Sequence, residues 1–191
     1  MLSVLRPAAV LLSLFTLLLG VLYPLAVTRA ASAIMPFQAR GSLVEDAHGV
    51  RGSALLGQSF KNPAYFWGRP SATSAAPYDA AASTGSNLGP TSEALVAAVT
   101  ARVAALRAAD PTAKGAVPVD LVTSSASGLD PHLSPAGVFF QVARVARIRN
   151  VPVARVRALA EAHVTGRTWG ILGEPRVDVL ALNRALDAMA P

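Results

Sequence analysis

The stretch PAAVLLSLFTLLLGVLYPLAVT, Pro7 to Thr28, carries no charge over 22 residues and is bracketed by Arg6 and Arg29. As a helix it rises about 33 Å, at about 1.5 Å per residue. A bilayer's hydrocarbon core is about 30 Å thick, so the length fits one crossing. The chain then divides into a cytoplasmic head, 1–6, a transmembrane helix, 7–28, and one extracytoplasmic domain, 29–191. The rival reading is a cleaved secretory signal, and Ala31-Ser32-Ala33 resembles a small-residue cleavage site. A signal's apolar region is usually only about 7–15 residues. Here Val21, Leu22, Leu25, Ala26 and Val27 continue past Gly20, and the basic region before it is Arg6 alone. A retained anchor fits better.

Arg6 precedes the span, while Arg29 and Arg40 follow it, so the positive charges are nearly balanced. Long domains translocate largely regardless of charge. A short head before the first span most simply stays inside, giving N-in, C-out.

The formal charge of +6 falls to +4 beyond the anchor once Arg6 and Arg29 are set aside. Arg144, Arg147, Arg149, Arg155 and Arg157 form a basic cluster. It reads as the solvated face of helices, because a nucleic-acid or anionic-lipid surface would want interleaved aromatics or a denser run. Without cysteine, no disulfide framework or thiolate metal site can form.

Ser32 to Met35 prolong the first helix until Pro36 stops it. Asp46-Ala47-His48-Gly49 reads as a turn between short strands at Ser42–Glu45 and Val50–Leu56. Residues 61–90 are rich in Pro, Gly, Ser, Ala and Asn but hold Tyr65, Phe66, Trp67 and Tyr78. They read as an ordered loop, too aromatic for simple disorder. Thr91 is the expected N-cap of a helix with Glu93 in its first turn and Leu95, Val99, Val103 and Leu106 on one face, ending at Asp110-Pro111. Val117–Thr123 reads as a strand, and Ser124–Pro135 as a second polar loop. Ser134-Pro135 starts a helix with Val138, Val142, Val145 and Ile148 inward, broken at Asn150. Pro152 starts another, lined by Val156, Leu159 and His163 until Gly166. A last helix runs from about Asp178, with Val179, Leu182, Leu186 and Met189 inward. The fold class is α+β: one N-terminal transmembrane helix, then a single domain with a few short strands and about four helices.

Chemistry-bearing motifs are missing. There is no GxSxG elbow, no HExxH and no Walker A pattern ending in GK[ST]. His48, His132 and His163 lack ligand spacing. No cofactor or metal is bound by a recognisable motif. The unusual features are two polar loops. One holds Phe66-Trp67-Gly68-Arg69-Pro70-Ser71-Ala72-Thr73 and Gly85-Ser86-Asn87-Leu88-Gly89-Pro90-Thr91. The other holds Asp120-Leu121-Val122-Thr123 and Ser127-Gly128-Leu129-Asp130-Pro131-His132-Leu133-Ser134-Pro135. Residue by residue, Ser, Asn and Asp cap helices and Gly and Pro set turns.

Taken together and in this order after a single span, these phrases resemble the C subunit of the Kdp-type potassium-transporting ATPase, the KdpC family. Leu5-Arg6-Pro7, Tyr23-Pro24-Leu25-Ala26-Val27-Thr28, Gln38-Ala39 and Gly41-Ser42-Leu43 support the match. So do Gly166-Arg167-Thr168, Gly173-Glu174-Pro175-Arg176-Val177, Leu180 and Leu182-Asn183. The resemblance covers essentially the whole chain. Arg40, Thr84, Ala126 and Trp169 depart from the expected pattern, and none removes a charged or histidine position.

The resemblance implies a non-catalytic subunit of a bacterial plasma-membrane complex for high-affinity potassium uptake. Its partners would be a channel-like potassium-binding subunit, a P-type ATPase subunit, a small single-span subunit and the lipid bilayer, with no nucleic acid. ATP and potassium belong to the complex. The expected role is assembly or ion entry. The family-based alternative is a catalytic chaperone that raises the ATP affinity of the ATPase subunit. A reading of another class is a membrane-anchored hydrolase using His132 with Asp130 or Ser127.

Arg69, Ser86, Asn87, Asp130 and His132 fall in irregular segments, where scaffolds display binding groups. Asp130 is expected to pair with Arg69 and bring the loops together as a subunit interface. Such a pair would cost about 3–5 kcal/mol to break if buried and about 0–1 if exposed.

The anchor reading carries its own test. Reporter fusions after Pro191 should be active outside the cytoplasm, and mass spectrometry should find the intact N-terminus. A mature chain beginning near Ser32 or Ile34 would overturn the anchor.

Overall fold

The computed structural model describes residues 2–47 and 49–189. The turn residue His48 lies outside the described residues. Two compact units divide the chain, Met1–Arg51 and Gly52–Pro191.

The first unit begins with α1 (Leu2–Leu17), a π-helical turn (Leu18–Leu22) and α2 (Tyr23–Ile34). They form one apolar helix, Ser3–Ile34, long enough to cross a membrane. Its 32 residues exceed the uncharged stretch at both ends, so Arg6 and Arg29 lie within helix. The π turn has a local cause. Pro24 has no N–H, and its ring crowds the carbonyl four residues back, on Gly20. Widening the ladder accommodates this, and Tyr23 N–H reaches Leu18 O across five residues. Met35 leaves the helical region ahead of Pro36, as the proline requires. A short α3 (Pro36–Ala39) leads to β1 (Leu43–Asp46), which pairs with β2 (Gly49–Ser53). The hairpin expected from sequence is present, with its first strand one residue later and its second shorter.

The second unit carries four main helices, α4 (Glu93–Ala109), α5 (Pro135–Arg149), α6 (Val153–Ala162) and α7 (Val179–Ala188). It also has a three-stranded antiparallel sheet of β3 (His132–Leu133), β4 (Val164–Thr165) and β5 (Arg176–Asp178), in the order β3-β5-β4. Leu133 and Val164 both face Val177 in register. The core joins Leu106 of α4, Val138, Val142 and Val145 of α5, Val156 and Ala160 of α6, Val177, and Leu182 and Leu186 of α7, closed by Phe66 and Leu121 from the loops. The α+β class with about four helices is the architecture found.

Helix ends follow their caps. Ser134 Oγ accepts from Gly137 N at 3.0 Å ahead of Pro135. Asn150 closes α5 in the left-handed conformation at φ 55°. Asp178 Oδ1 accepts from Ala181 N at 2.9 Å. Four expectations need correction. Thr91 is not an N-cap: that position is Ser92, and its side chain makes no capping bond. Val117–Thr123 is not a strand. Pro118 leads into a 3₁₀ turn, Val119–Leu121, and Thr123 N and Oγ1 both donate to Val119 O. Alternation over so few residues does not separate strand from turn. Arg144 is not on a solvated face but almost wholly buried, and Ile148, expected inward, is exposed.

Residues 62–67 run from the surface to fully buried Phe66 without belonging to a strand, so side chains must satisfy the backbone they bury. Asn183 of α7 meets Phe66 twice: its Oδ1 accepts from Phe66 N and its Nδ2 donates to Phe66 O, both at 2.9 Å. Gln141 of α5 does the same for Trp67, at 2.8 and 3.1 Å. The Arg144 guanidinium donates to Tyr65 O at 3.1 Å, to Pro63 O and to Gln141 Oε1, and stacks 4.2 Å from the Trp67 ring centroid. Burial pulls its pKa down to about 10. Arg149 Nε reaches Ala64 O at 2.8 Å.

This clamp gives a direct expectation. Asn183→Ala leaves the N–H and C=O of Phe66 buried and unpaired, at about 1–3 kcal/mol per orphaned group. The full chain in detergent should lose about 2–6 kcal/mol in chemical denaturation. Unchanged stability would show that the clamp contributes nothing.

Candidate functional site

The two polar loops cross. Thr84 N donates to Ser127 O at 3.0 Å, Ser83 Oγ to the same oxygen at 3.0 Å, and Ser71 Oγ to Gly128 O at 2.7 Å. The crossing leaves no room at Gly128, whose φ is +69° and where an added Cβ would lie 2.7 Å from Thr84 O. Gly57 N ties a third segment to Leu129 O at 2.8 Å.

The crossing brings Arg69 to Asp130. Arg69 Nη1 donates to Asp130 Oδ2 at 3.3 Å, and Nη2 reaches the carbonyls of Ser124 at 3.2 Å and Thr123 at 3.5 Å. His132 adds its backbone N–H to Asp130 Oδ1 at 3.0 Å, with Nδ1 3.3 Å from the same oxygen. Arg69, Asp130 and His132 are thus one cluster. The Arg69 and Asp130 side chains keep 25% and 29% of their exposure, so the pair is neither fully buried nor free in solvent. His132 stands at the start of β3, not in irregular structure as expected.

Ser86 and Asn87 lie beyond the crossing and are exposed, Asn87 with φ +53°. Among the described residues no hydrogen bond joins either to Arg69, Asp130 or His132. The five candidates therefore separate into a braced trio and an exposed turn.

Beside the trio runs a groove of about 610 Å³ whose walls carry Arg69, Asp120, Asp130, His132, Glu174 and Arg176. Asp120 is anchored at the start of α5, where its Oδ2 accepts from Ser134 N at 2.7 Å. Burial raises the Asp130 carboxyl's pKa. The hydrogen bonds from His132 and the Arg69 charge outweigh that and hold it below the usual carboxylate value. Tyr78 crosses behind, donating to Arg69 O, and burial with the Asp130 charge pushes its phenol up to about 12.

A hydrolytic triad is not assembled. Ser127 Oγ accepts from Leu129 N at 3.1 Å and lies 3.4 Å from Ser125 Oγ, with no hydrogen bond to His132. Among the described residues no group of three His, Asp or Glu is placed to hold a metal. His163, just past the end of α6, is half-buried with Nδ1 2.9 Å from Leu159 O.

Three residues central to this geometry were missed by sequence reasoning. Gln141 and Arg144 interrupt the apolar stripe of α5, and Asn183 follows Leu182 on α7. A polar side chain at a core-facing position was the available signal.

One helix long and apolar enough to cross a membrane, followed by an α+β unit, fits a single-pass membrane protein with a folded C-terminal unit. Residues 5–188 match the family described as KdpC, K+-transporting ATPase, c chain, and the chain belongs to that family. The potassium-transporting ATPase KdpC subunit of Variovorax paradoxus is 59% identical over 188 residues, covering 98% of this chain and 97% of that one. The one from Sorangium cellulosum is 60% identical over 187 residues, covering 98% of each. That from Caulobacter vibrioides (strain NA1000 / CB15N) is 57% identical over 192 residues.

The trio predicts an acid-side effect. A carboxyl held below its unfolded value of about 3.9 contributes stability above that pH and loses it as pH falls through the folded value. Asp130→Asn should therefore lower stability near neutrality by about 1 kcal/mol, because partial exposure screens the pair. The gap to wild type should close as the pH falls through the lowered folded value of Asp130. Equal gaps near neutrality and below that value, read by denaturation of the full chain, would rule out the ion pair as the cause.

Proposed function

We propose that this chain is a non-catalytic subunit of an ATP-driven potassium uptake complex in the bacterial inner membrane. Its N-terminus is cytoplasmic and its C-terminal unit lies outside. The loop crossing forms a docking surface for the channel-like potassium-binding subunit and supports assembly or ion entry. The P-type ATPase subunit and a small single-span subunit complete the complex. The carrying observation is family membership along residues 5–188, and the site agrees with it. Arg69, Asp130 and His132 are fixed by one another, which suits recognition more than turnover.

The other reading, a chaperone raising ATP affinity, gains little from the groove. Asp120, Asp130 and Glu174 stand there against Arg69 and Arg176, a poor balance for a polyphosphate. The hydrolase reading loses its nucleophile–base contact at Ser127.

The test compares Asn87→Ala and His132→Ala. Affinity purification of the full chain in mild detergent should lose about tenfold in co-purified ATPase subunit, a change of about 1.4 kcal/mol in association. Melting of the full chain should fall only slightly, by about 1 kcal/mol or less, from the lost His132–Asp130 contact and from alanine at a left-handed position, and growth at limiting potassium should fail. A large loss of stability in both variants, enough by itself to explain the lost association, would make the loops structural and remove the interface assignment.

A further inference from the structure

Exposed apolar side chains of the second unit are mostly isolated, but one group is contiguous. Trp169 is 85% exposed, Ile171 73% and Leu172 52%. They sit on a tight turn of fixed shape. Thr168 N donates to Leu172 O at 2.8 Å and Leu172 N returns to Thr168 O at 3.0 Å. Gly170 N donates to Arg167 O at 3.1 Å. At the base, Arg167 Nη2 contacts both carboxylate oxygens of Glu174, at 2.7 and 2.8 Å. Trp169 holds φ +55° and Gly170 φ +79°. A bulky residue in the left-handed region is strained. The core does not cover this one, so packing within the unit does not explain it.

We propose that the Trp169–Leu172 turn dips into the headgroup layer of a phospholipid bilayer, the one crossed by the chain's own helix. Tryptophan is favoured at that depth, where its ring meets acyl chains and its indole N–H meets polar groups. Ile171 and Leu172 add apolar surface beside it, and the Arg167–Glu174 pair removes net charge from the base. Three side chains bind a free vesicle weakly. A tethered one needs little affinity, because residues 35–51 reach at most about 60 Å even fully extended and keep the lipid at high effective concentration. The turn thus acts as a second, shallow contact with lipid. The inference rests on the span and not on which side of the membrane the unit occupies, so it stands or falls apart from the proposed function.

The full chain has two tryptophans, and Trp67 is stacked under Arg144. The difference between wild type and Trp169→Phe therefore isolates the turn. Both chains are reconstituted into vesicles of phosphatidylcholine and phosphatidylglycerol, with or without brominated acyl chains. Bromination should remove at least about half of the Trp169 emission, the mark of a ring at the interface, and lipid should shield it from aqueous acrylamide. Melting should be the same for both chains. Emission indifferent to bromination and open to acrylamide overturns the proposal. Shielding from both quenchers only in the complex purified with its partners also overturns it, and assigns the turn to a protein contact.

Discussion

The second unit depends on how one stretch of irregular backbone is carried from the surface into the core. Positions 62–67 run from exposed Asn62 and Pro63 to fully buried Phe66 without a strand beside them, and an unpaired buried peptide group costs as much as a lost hydrogen bond. Two side-chain amides replace the missing neighbour. Gln141 and Asn183 each offer one acceptor and one donor, the pattern an adjacent strand would present. Arg144 takes the carbonyls of Pro63 and Tyr65, Arg149 takes that of Ala64, and the Arg144 guanidinium sits over the Trp67 ring. Its guanidinium is almost wholly buried yet hydrogen-bonded, which makes its desolvation tolerable.

The functional geometry follows from this anchorage. Because Phe66 and Trp67 are fixed from two helices, Arg69 leaves the core at a set place, three residues on from Phe66. There it meets the second loop at Asp130, and the tight approach at Gly128 holds the two backbones together. The trio of Arg69, Asp130 and His132 is therefore a product of core packing carried to the surface. Ser86 and Asn87, further along the same loop, have no such support and project into solvent.

The sequence carried most of the helical part of this fold and little of the sheet. Ser134-Pro135, Asn150 and Asp178 mark helix ends by chemistry that acts within a few residues, so they were legible. The strands β3, β4 and β5 have two or three residues each, too few for a period of two to register. Their pairing comes from tertiary placement. The apparent strand at 117–123 failed for the complementary reason: its apolar residues Leu121 and Val122 are buried side by side from a 3₁₀ turn rather than on alternate faces of a strand. Arg144 was misread because charge suggests solvent, and only the backbone of a distant loop explains its burial. The link between Arg69 and Asp130 was legible from chemistry and loop context, but the separation of Asn87 from that pair was not.

The amide clamp also sets an order of events. Phe66 and Asn183 are 117 positions apart. At about 5–20 residues per second of synthesis, Phe66 is made roughly ten seconds before its partner exists. During that interval the aromatic segment Tyr65-Phe66-Trp67 has no final resting place, and no local structure can substitute for it. The N-terminal half of the unit cannot complete itself early, since its closing bonds come from α7. Folding of this unit therefore waits on the emergence of Asn183, and contacts of such long sequence separation form slowly.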